Sequence, residues 1–176
     1  MRFSGCAHRF SPNDDINTDY IISGRYKFKI DDMNELAKHV MEDIDPDFSA
    51  KVKKGDIIVA GRNFGCGSSR EQAPRALRAA GVSAVVAQSY ARIFYRSSFN
   101  IGLPLIECDT DSIRAGDEIT VDLDAGLVID KATGESTSIK PIPRTMQILL
   151  EDGGLIQHLK KRGDFALRQG DTELMN

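Results

Sequence analysis

The sequence predicts an α/β fold: one domain containing a parallel βαβ unit and a β-hairpin. Short runs rich in β-branched residues, Ile57-Ile58-Val59-Ala60, Val82 to Ala87 and Gly102 to Ile106, are separated by segments of helical spacing. Strand–helix–strand–helix–strand order yields parallel strands joined by right-handed crossovers. Glu118 to Leu123 and Leu127 to Asp130, joined by Asp124-Ala125-Gly126, form a hairpin. A length of 176 residues suits one domain with a core that needs no staples.

In chain order, residues 1–20 come first and are polar and turn-rich, with Pro12-Asn13-Asp14-Asp15 and Asn17-Thr18-Asp19. Asn and Asp side chains bond back to their own backbone, so this stretch is expected to be a shaped loop. Met33, Leu36, Ala37, Val40 and Met41 recur at helical spacing behind a cap at Asp31 or Asp32. The run Ile57–Ala60, closed by Gly61, reads as a buried strand. A glycine-rich segment leads to a helix that ends near Ala80, with Gly81 after it. Val82–Ala87 is the next buried strand, Ser89 a cap for a helix over Tyr90–Ser98, and Gly102–Ile106 the third strand. Thr137–Lys140 adds a strand after the hairpin. Thr145–Glu151 and Leu155–Lys161 are short helices split by Gly153-Gly154. Residues 1–163 are expected to be the domain and residues 164–176 a polar tail.

Composition excludes several classes of function. The apolar fraction of 41% and charged fraction of 28% are those of a globular protein. A net charge of -3 offers no basic face for nucleic acid. Lys53-Lys54 and Lys160 to Arg162 are short and flanked by acids, and no apolar run approaches the roughly 20 residues that span a bilayer. Met1 to Ser11 has no apolar signal segment, so a cytoplasmic chain is expected. Cys6, Cys66 and Cys108 are about 60 and 40 residues apart. Structural zinc and iron–sulfur sites use close cysteine pairs, so no metal site is expected in this chain. His8, His39 and His158 are scattered, and surface or internally satisfied roles suit them.

The chemistry concentrates in Gly61-Arg62-Asn63-Phe64-Gly65-Cys66-Gly67-Ser68-Ser69-Arg70-Glu71. This segment leaves the carboxyl end of a buried strand and feeds a helix, where open α/β sheets bind ligands. Glycines admit a closely approaching ligand, the helix start favours an anion, and Arg70 offers a fork matched to carboxylate or phosphate. A small polyanion beside two hydroxyls is one reading. The other is that Ser68 and Glu71 form a capping box and nothing more. Pro74 sits six residues past Ser68, too deep for a helix begun there, which moves the helix start toward Gln72. A P-loop would need a Lys before Ser68, and there is none. A redox role for Cys66 would rest on a thiol lowered by the helix start, but no resolving cysteine is near in sequence. Arg92 and Arg96 lie one helical turn apart; they either steady the loop, pairing with Asp14, Asp15 or Asp19, or contact substrate directly, and the first is the expectation.

The glycine-rich segment, with Ser89-Tyr90-Ala91-Arg92-Ile93-Phe94-Tyr95-Arg96 and Asn100-Ile101-Gly102-Leu103-Pro104, resembles the small subunits of 3-isopropylmalate dehydratase and homoaconitase. Asp14-Asp15-Ile16-Asn17-Thr18-Asp19 with Gly24-Arg25-Tyr26, and Leu149-Leu150-Glu151-Asp152-Gly153-Gly154-Leu155, are similar to that family's two ends. The likeness spans roughly residues 1–162.

The resemblance implies a β/β/α swivelling domain, like the fourth domain of aconitase. It closes over a [4Fe–4S] cluster held by a larger partner subunit, in a heterodimer or heterotetramer. It implies a hydro-lyase, active only as the pair, that removes and returns water on a hydroxy di- or tricarboxylic acid. Carried over by position, Ser68 matches the base, while Gly67, Ser69 and Arg70 match the residues that hold substrate carboxylate. The stretch Lys27-Phe28-Lys29 matches the selector of the substrate's side group. Phe28 suits an alkyl group, and Lys27 or Lys29 a carboxylate. The implied order of substrates is 3-isopropylmalate (leucine biosynthesis), then a dimethylmalate or methylmalate, then homoaconitate. A small-anion-binding module and a regulatory subunit are the rivals from other classes.

Overall fold

Strand runs that are apolar at every position, rather than at alternate ones, need cover on both faces. The structure is a computed structural model describing residues 1–26 and 29–163, and it supplies that cover. Strands β2 (Ile57–Ala60) and β3 (Ala84–Ala87) are buried along their whole length. They pair in parallel from Ile57 with Ala84 to Ala60 with Ala87. The third parallel strand, β4 (Leu105–Glu107), begins later than the sequence run starting at Gly102. The glycine is used otherwise: at φ +75° it lies so close to Gly153 that a Cβ would come within 2.7 Å of that backbone.

The main departure from the sequence expectation lies at the amino terminus. Residues 2–8, expected to be loop, form strand β1 (Arg2–His8). It runs parallel to β2 and antiparallel to β5 (Glu118–Asp122). The local pattern is weak because only Ala7 along it is fully buried, so no apolar run announces it. Pairing on both edges makes the strand, and Gly5 admits it: a Cβ there would sit 2.3 Å from the Gly55 carbonyl oxygen. The hairpin of β5 with β6 (Leu127–Asp130) is present, and β7 (Ser136–Ser138) extends it. One seven-stranded mixed sheet results, ordered β4-β3-β2-β1-β5-β6-β7, with β1 as the joint between parallel and antiparallel halves.

Two cores follow from the period-two alternation of strand side chains. Ile58, Ala60, Val85 and Ala87 face a helix-side core with Phe48, Phe64, Leu77, Phe94 and Phe99. Ile57, Val59, Ala84 and Val86 face the other side and meet Ile119, Val121 and Val128 of the antiparallel half, so the sheet curls on itself. Truncating one of these fully buried aromatic side chains costs about 3–5 kcal/mol.

The helices are α1 (Thr18–Ile21), α2 (Met33–Ala37), α3 (Phe48–Lys51), α4 (Gln72–Ala79), α5 (Arg92–Asn100), α6 (Arg144–Asp152) and α7 (Leu155–Arg162). Of the two candidate caps, Asp32 starts α2, its carboxylate accepting from Asn34 N at 2.7 Å and Glu35 N at 3.2 Å. The helical pattern through Met41 is cut short, because Met41 turns to φ +59° and donates its N–H to Ile21 at 3.0 Å. Glycines 153 and 154 separate α6 from α7 as expected. The three histidines are each bonded to a carboxylate: His8 to Asp56 at 2.8 Å, His39 to Glu42 at 2.7 Å and His158 to Asp152 at 2.7 Å. No helix among the described residues is long and apolar enough to cross a membrane. Residues 164–176, read as a polar tail, lie outside the described residues, as do Lys27 and Phe28.

Candidate active site

The glycine-rich turn leaves β2 at Ala60 and is held open by backbone bonds on both sides. From the amino-terminal segment, Gly61 N bonds Asn13 O and Gly65 N bonds Ile16 O, at 2.9 and 2.8 Å, while Thr18 N donates to Cys66 O at 2.9 Å. From beyond β3, Phe64 N donates to Ser89 O and Ala91 N to Phe64 O, each at 3.0 Å. The turn is thus a strand-like extension clamped between two neighbours, with bridges Asn17 to Cys66 and Phe64 to Tyr90. Two glycines are required by geometry. Gly65, at φ +78°, passes over the Phe94 ring, where a Cβ would come within 2.2 Å. Gly67, at φ +87°, has room beside it, so its backbone conformation alone selects glycine.

This frame settles the choice between capping box and open loop. Helix α4 starts at Gln72, with Glu71 as the residue before it and no side-chain cap. Glu71 instead pairs with Arg75 at 2.7 Å. The Ser68 carbonyl accepts from the Thr18 hydroxyl at 2.8 Å. The Ser68 and Ser69 side chains are exposed, and among the described residues neither hydroxyl has a hydrogen-bond partner.

Arg70 is not a free fork. Its side chain is 12% exposed, bonded to Asp19 at 2.6 Å and to the Ile22 carbonyl at 2.9 Å. Gly24 packs against it, and a Cβ there would lie 3.2 Å from Arg70 Nη2. The guanidinium therefore ties the glycine turn to the short 3₁₀ turn Gly24–Tyr26 that precedes Lys27. Next to Gly24, Arg25 pairs with Glu42 at 2.6 Å and also with Asp43, and the Tyr26 hydroxyl donates to Glu42 at 2.6 Å. Lys29 is exposed beyond this anchored base.

A cavity of about 480 Å³ opens above the turn. Gly65, Gly67, Ser68, Ser69 and Arg70 line it on one side, and Arg92, Ile93, Arg96 and Ser97 of α5 on the other. Two expectations from the sequence fail at this cavity, and a reading the sequence disfavoured is not supported either. Ser89 does not cap α5, which starts from Ala91 without a side-chain cap; its hydroxyl accepts from Asn63 N at 2.9 Å and so braces the turn. Arg92 and Arg96 do not pair with Asp14, Asp15 or Asp19. Those acids take Arg62 at 3.1 Å, Asn63 at 2.7 Å and Arg70 at 2.6 Å, leaving the α5 arginines on the cavity wall. Hydrogen bonds from the Arg62 backbone and side chain hold the Asp14 carboxyl below the usual range. The Cys66 thiol is not lowered by the helix start: burial, and then Asp15, push it up. Its Sγ points to the Asp15 carbonyl at 3.5 Å.

The α5 arginines are cavity-lining groups that sequence reasoning assigned to loop support. The signal for them is topological. β2 and β3 are adjacent parallel strands, and ligands sit at the carboxyl ends of such neighbours. The segment leaving β3 must therefore face the segment leaving β2. Tyr90 secures the second wall, its hydroxyl lying 2.8 Å from both the Val85 and the Ile106 carbonyl oxygens and sharing its one proton between them.

The metal donor set is thin. Among the described residues no three His, Cys, Asp or Glu side chains converge. Cys6 lies on β1, Cys66 in the turn and Cys108 beyond β4. Cys108 is buried, and burial pushes its thiol up to about 12.

The fold and the serine-lined turn define a class. The Aconitase C-terminal domain family model matches residues 14–110, and the chain belongs to that family, in the branch of the 3-isopropylmalate dehydratase small subunits, whose enzyme is a hydro-lyase. The chain is 55% identical over 167 residues to 3-isopropylmalate dehydratase small subunit 2 of Archaeoglobus fulgidus, covering 95% of this chain and 100% of the relative. It is 53% identical to the small subunit from Caldicellulosiruptor bescii, covering 91% and 96% of the two chains. A crystal structure of 3-isopropylmalate dehydratase from Methanocaldococcus jannaschii superposes with a TM-score of 0.88 at 45% identity, covering 93% and 96%.

Proposed function

We propose that this chain is the subunit of a 3-isopropylmalate dehydratase that supplies the proton-abstracting base and part of the carboxylate-binding site. A larger partner subunit supplies a [4Fe–4S] cluster. The observation that carries this reading is the pair of exposed hydroxyls, Ser68 and Ser69, presented on a glycine turn over a cavity lined by arginines. Relatives matched over nearly their full length are named as small subunits of that enzyme.

Dehydration of a hydroxy acid needs a base for the proton beside a carboxylate, an acid for the departing hydroxyl, and cations for the carboxylates. The cluster, when held by the partner, supplies the Lewis acid. Among the described residues the donor side chains do not suit a cluster, which supports assigning it to the partner. Ser68 Oγ takes the carbon-bound proton. A serine is a weak base until its surroundings favour the anion; the amides of the glycine turn and the start of α4 are the groups that would do so here, since Arg70 is already paired with Asp19. Gly67 lets the backbone come close, and Ser69 and Arg70 orient the carboxylate next to the reacting carbon. Arg70 acts with its position set by Asp19 and Ile22 rather than as a loose side chain.

Phe28, with Lys27 and Lys29 beside it, selects the side group of the acid. That stretch comes after a turn fixed by Arg25 and Tyr26 on Glu42, which supports a defined starting point for it. The test is reconstitution. Mixed with a cluster-bearing large subunit, the chain is expected to dehydrate 3-isopropylmalate, and neither part alone to do so. Across a panel of 3-isopropylmalate, 2,3-dimethylmalate and homoaconitate, the first should have the highest kcat/KM. Absence of turnover from the loaded pair on all three would reject the enzyme reading in favour of an anion-binding or regulatory subunit.

A further inference from the structure

The cavity above the glycine turn carries more positive charge than its own surroundings neutralise. Arg70 is matched by Asp19 at 2.6 Å. Arg92 and Arg96 are exposed and have no ion pair or hydrogen bond among the described residues. Among the described residues no acidic side chain lines the cavity with them. On the far side of the two arginines Glu107 lines a neighbouring hollow, but it is paired with Lys140 at 3.0 Å. Two uncompensated guanidinium groups, one helical turn apart and facing two hydroxyls, form a receptor for a dianion. Both guanidinium groups are exposed and solvated when the cavity is empty, and an anion bound there would exchange that solvation for charge-assisted bonds.

We propose that Arg92 and Arg96 form a second carboxylate subsite that grips the carboxylate remote from Ser68, and that this pair makes the site one for dicarboxylates. The inference rests on the enzyme reading for the identity of the acid, but not for the binding of a dianion. One carboxylate lies at Ser69 and Arg70, beside the base, and the other at the α5 wall. Ile93 lies between the two arginines in sequence, 58% exposed at the cavity edge, and covers the carbon chain linking the two carboxylates. Ser69 and Arg70 take one carboxylate and the α5 arginines the other, and among the described residues the cavity lining offers no further cation for a third, which favours a dicarboxylate over a tricarboxylate.

The test uses the reconstituted pair with Arg92→Gln, Arg96→Gln and the double variant. Loss of a charge-assisted bond should raise KM for the dicarboxylate about tenfold or more per residue, with kcat changed far less and competitive inhibition by succinate weakened in parallel. Lysine at either position should recover part of the loss, because the charge returns without the fork. If the variants leave KM unchanged, the inference is overturned. It is equally overturned if they weaken only subunit association, measured by sedimentation, since the arginines would then be partner contacts. If the wild-type pair shows no dehydratase activity, the enzyme reading fails by itself. Protection of Arg92 and Arg96 from phenylglyoxal in the full chain then decides: protection by succinate, but not by acetate at equal ionic strength, supports the subsite, and equal modification with and without succinate overturns it.

Discussion

Arg70 and Asp19 meet at 2.6 Å across the base of the cavity, and the same guanidinium bonds the Ile22 carbonyl at 2.9 Å. Two segments some fifty residues apart in sequence are joined by one planar fork. A lysine cannot make both bonds in that geometry. Arg70→Lys is therefore expected to lower kcat/KM of the reconstituted enzyme by about tenfold or more, while Asp19→Asn, which keeps shape but not charge, should give a smaller loss. Steady-state kinetics on the two variants checks the order; an Arg70→Lys enzyme indistinguishable from wild type would remove the fork from substrate binding.

Ser68 is exposed and its carbonyl is fixed by Thr18 at 2.8 Å, so its hydroxyl can be removed without disturbing the turn. Ser68→Ala should lose kcat by a factor of about 10²–10⁴, the range for loss of a general base. KM should change little, and the subunits should still associate. Near wild-type turnover would take the proton-abstracting role away from Ser68.

The two glycines of the turn should respond differently. Gly65→Ala meets the Phe94 ring at 2.2 Å in addition to a left-handed backbone, and is expected to destabilise the chain by about 2–5 kcal/mol. Phe94→Leu should recover part of that loss. Gly67→Ala has space and bears only the backbone penalty, about 1–2 kcal/mol. Urea midpoints of the three variants test the ranking, and equal losses at the two glycines would refute the close approach at Phe94.

At the carboxyl end of α6, Asp152 is bonded by Arg162 at 2.6 Å and by His158 at 2.7 Å, which holds its carboxyl down at about 2. A carboxyl lower in the folded than in the unfolded chain adds stability that is fully present above the unfolded value near 4. That stability is lost as the pH falls toward about 2. The contribution is on the order of 1–2 kcal/mol. Asp152→Asn should flatten the acid limb of the stability curve between about pH 5 and pH 2, read by urea unfolding at fixed pH. An unchanged limb would show that this cluster does not govern the acid response.

In sequence, Phe28 follows Lys27, which comes after the turn that Arg25 and Tyr26 anchor on Glu42. Phe28→Arg is expected to shift the ratio of kcat/KM toward a tricarboxylate such as homoaconitate, since it adds a third cation for a third carboxylate. An unaltered substrate profile would rule the stretch out as the selector.

Much of the fold was legible because it is written locally. The β-branched runs at Ile57 and Val82, the hairpin around Asp124-Ala125-Gly126 and the glycine break at Gly153-Gly154 each specify their element within a few residues. The place of Pro74 was enough to move the start of α4 past Ser68. Ser89 was misread because a residue in a capping position has two possible acceptor tasks, and only the approach of Asn63 decides between them.

By itself the sequence determined the serine–arginine turn, its position at the mouth of a parallel unit and the family to which such a turn belongs. Glycine conformations and hydrophobic period are properties of short stretches. The tertiary structure decided everything that depends on a distant partner. It made residues 2–8 a central strand by pairing them on both edges. It paired Arg70 with Asp19, and it set Arg92 and Arg96 across the cavity from Ser68 with no counter-ion among the described residues. Coulomb interactions and strand pairing act through space, and no window along the chain contains both members of those pairs.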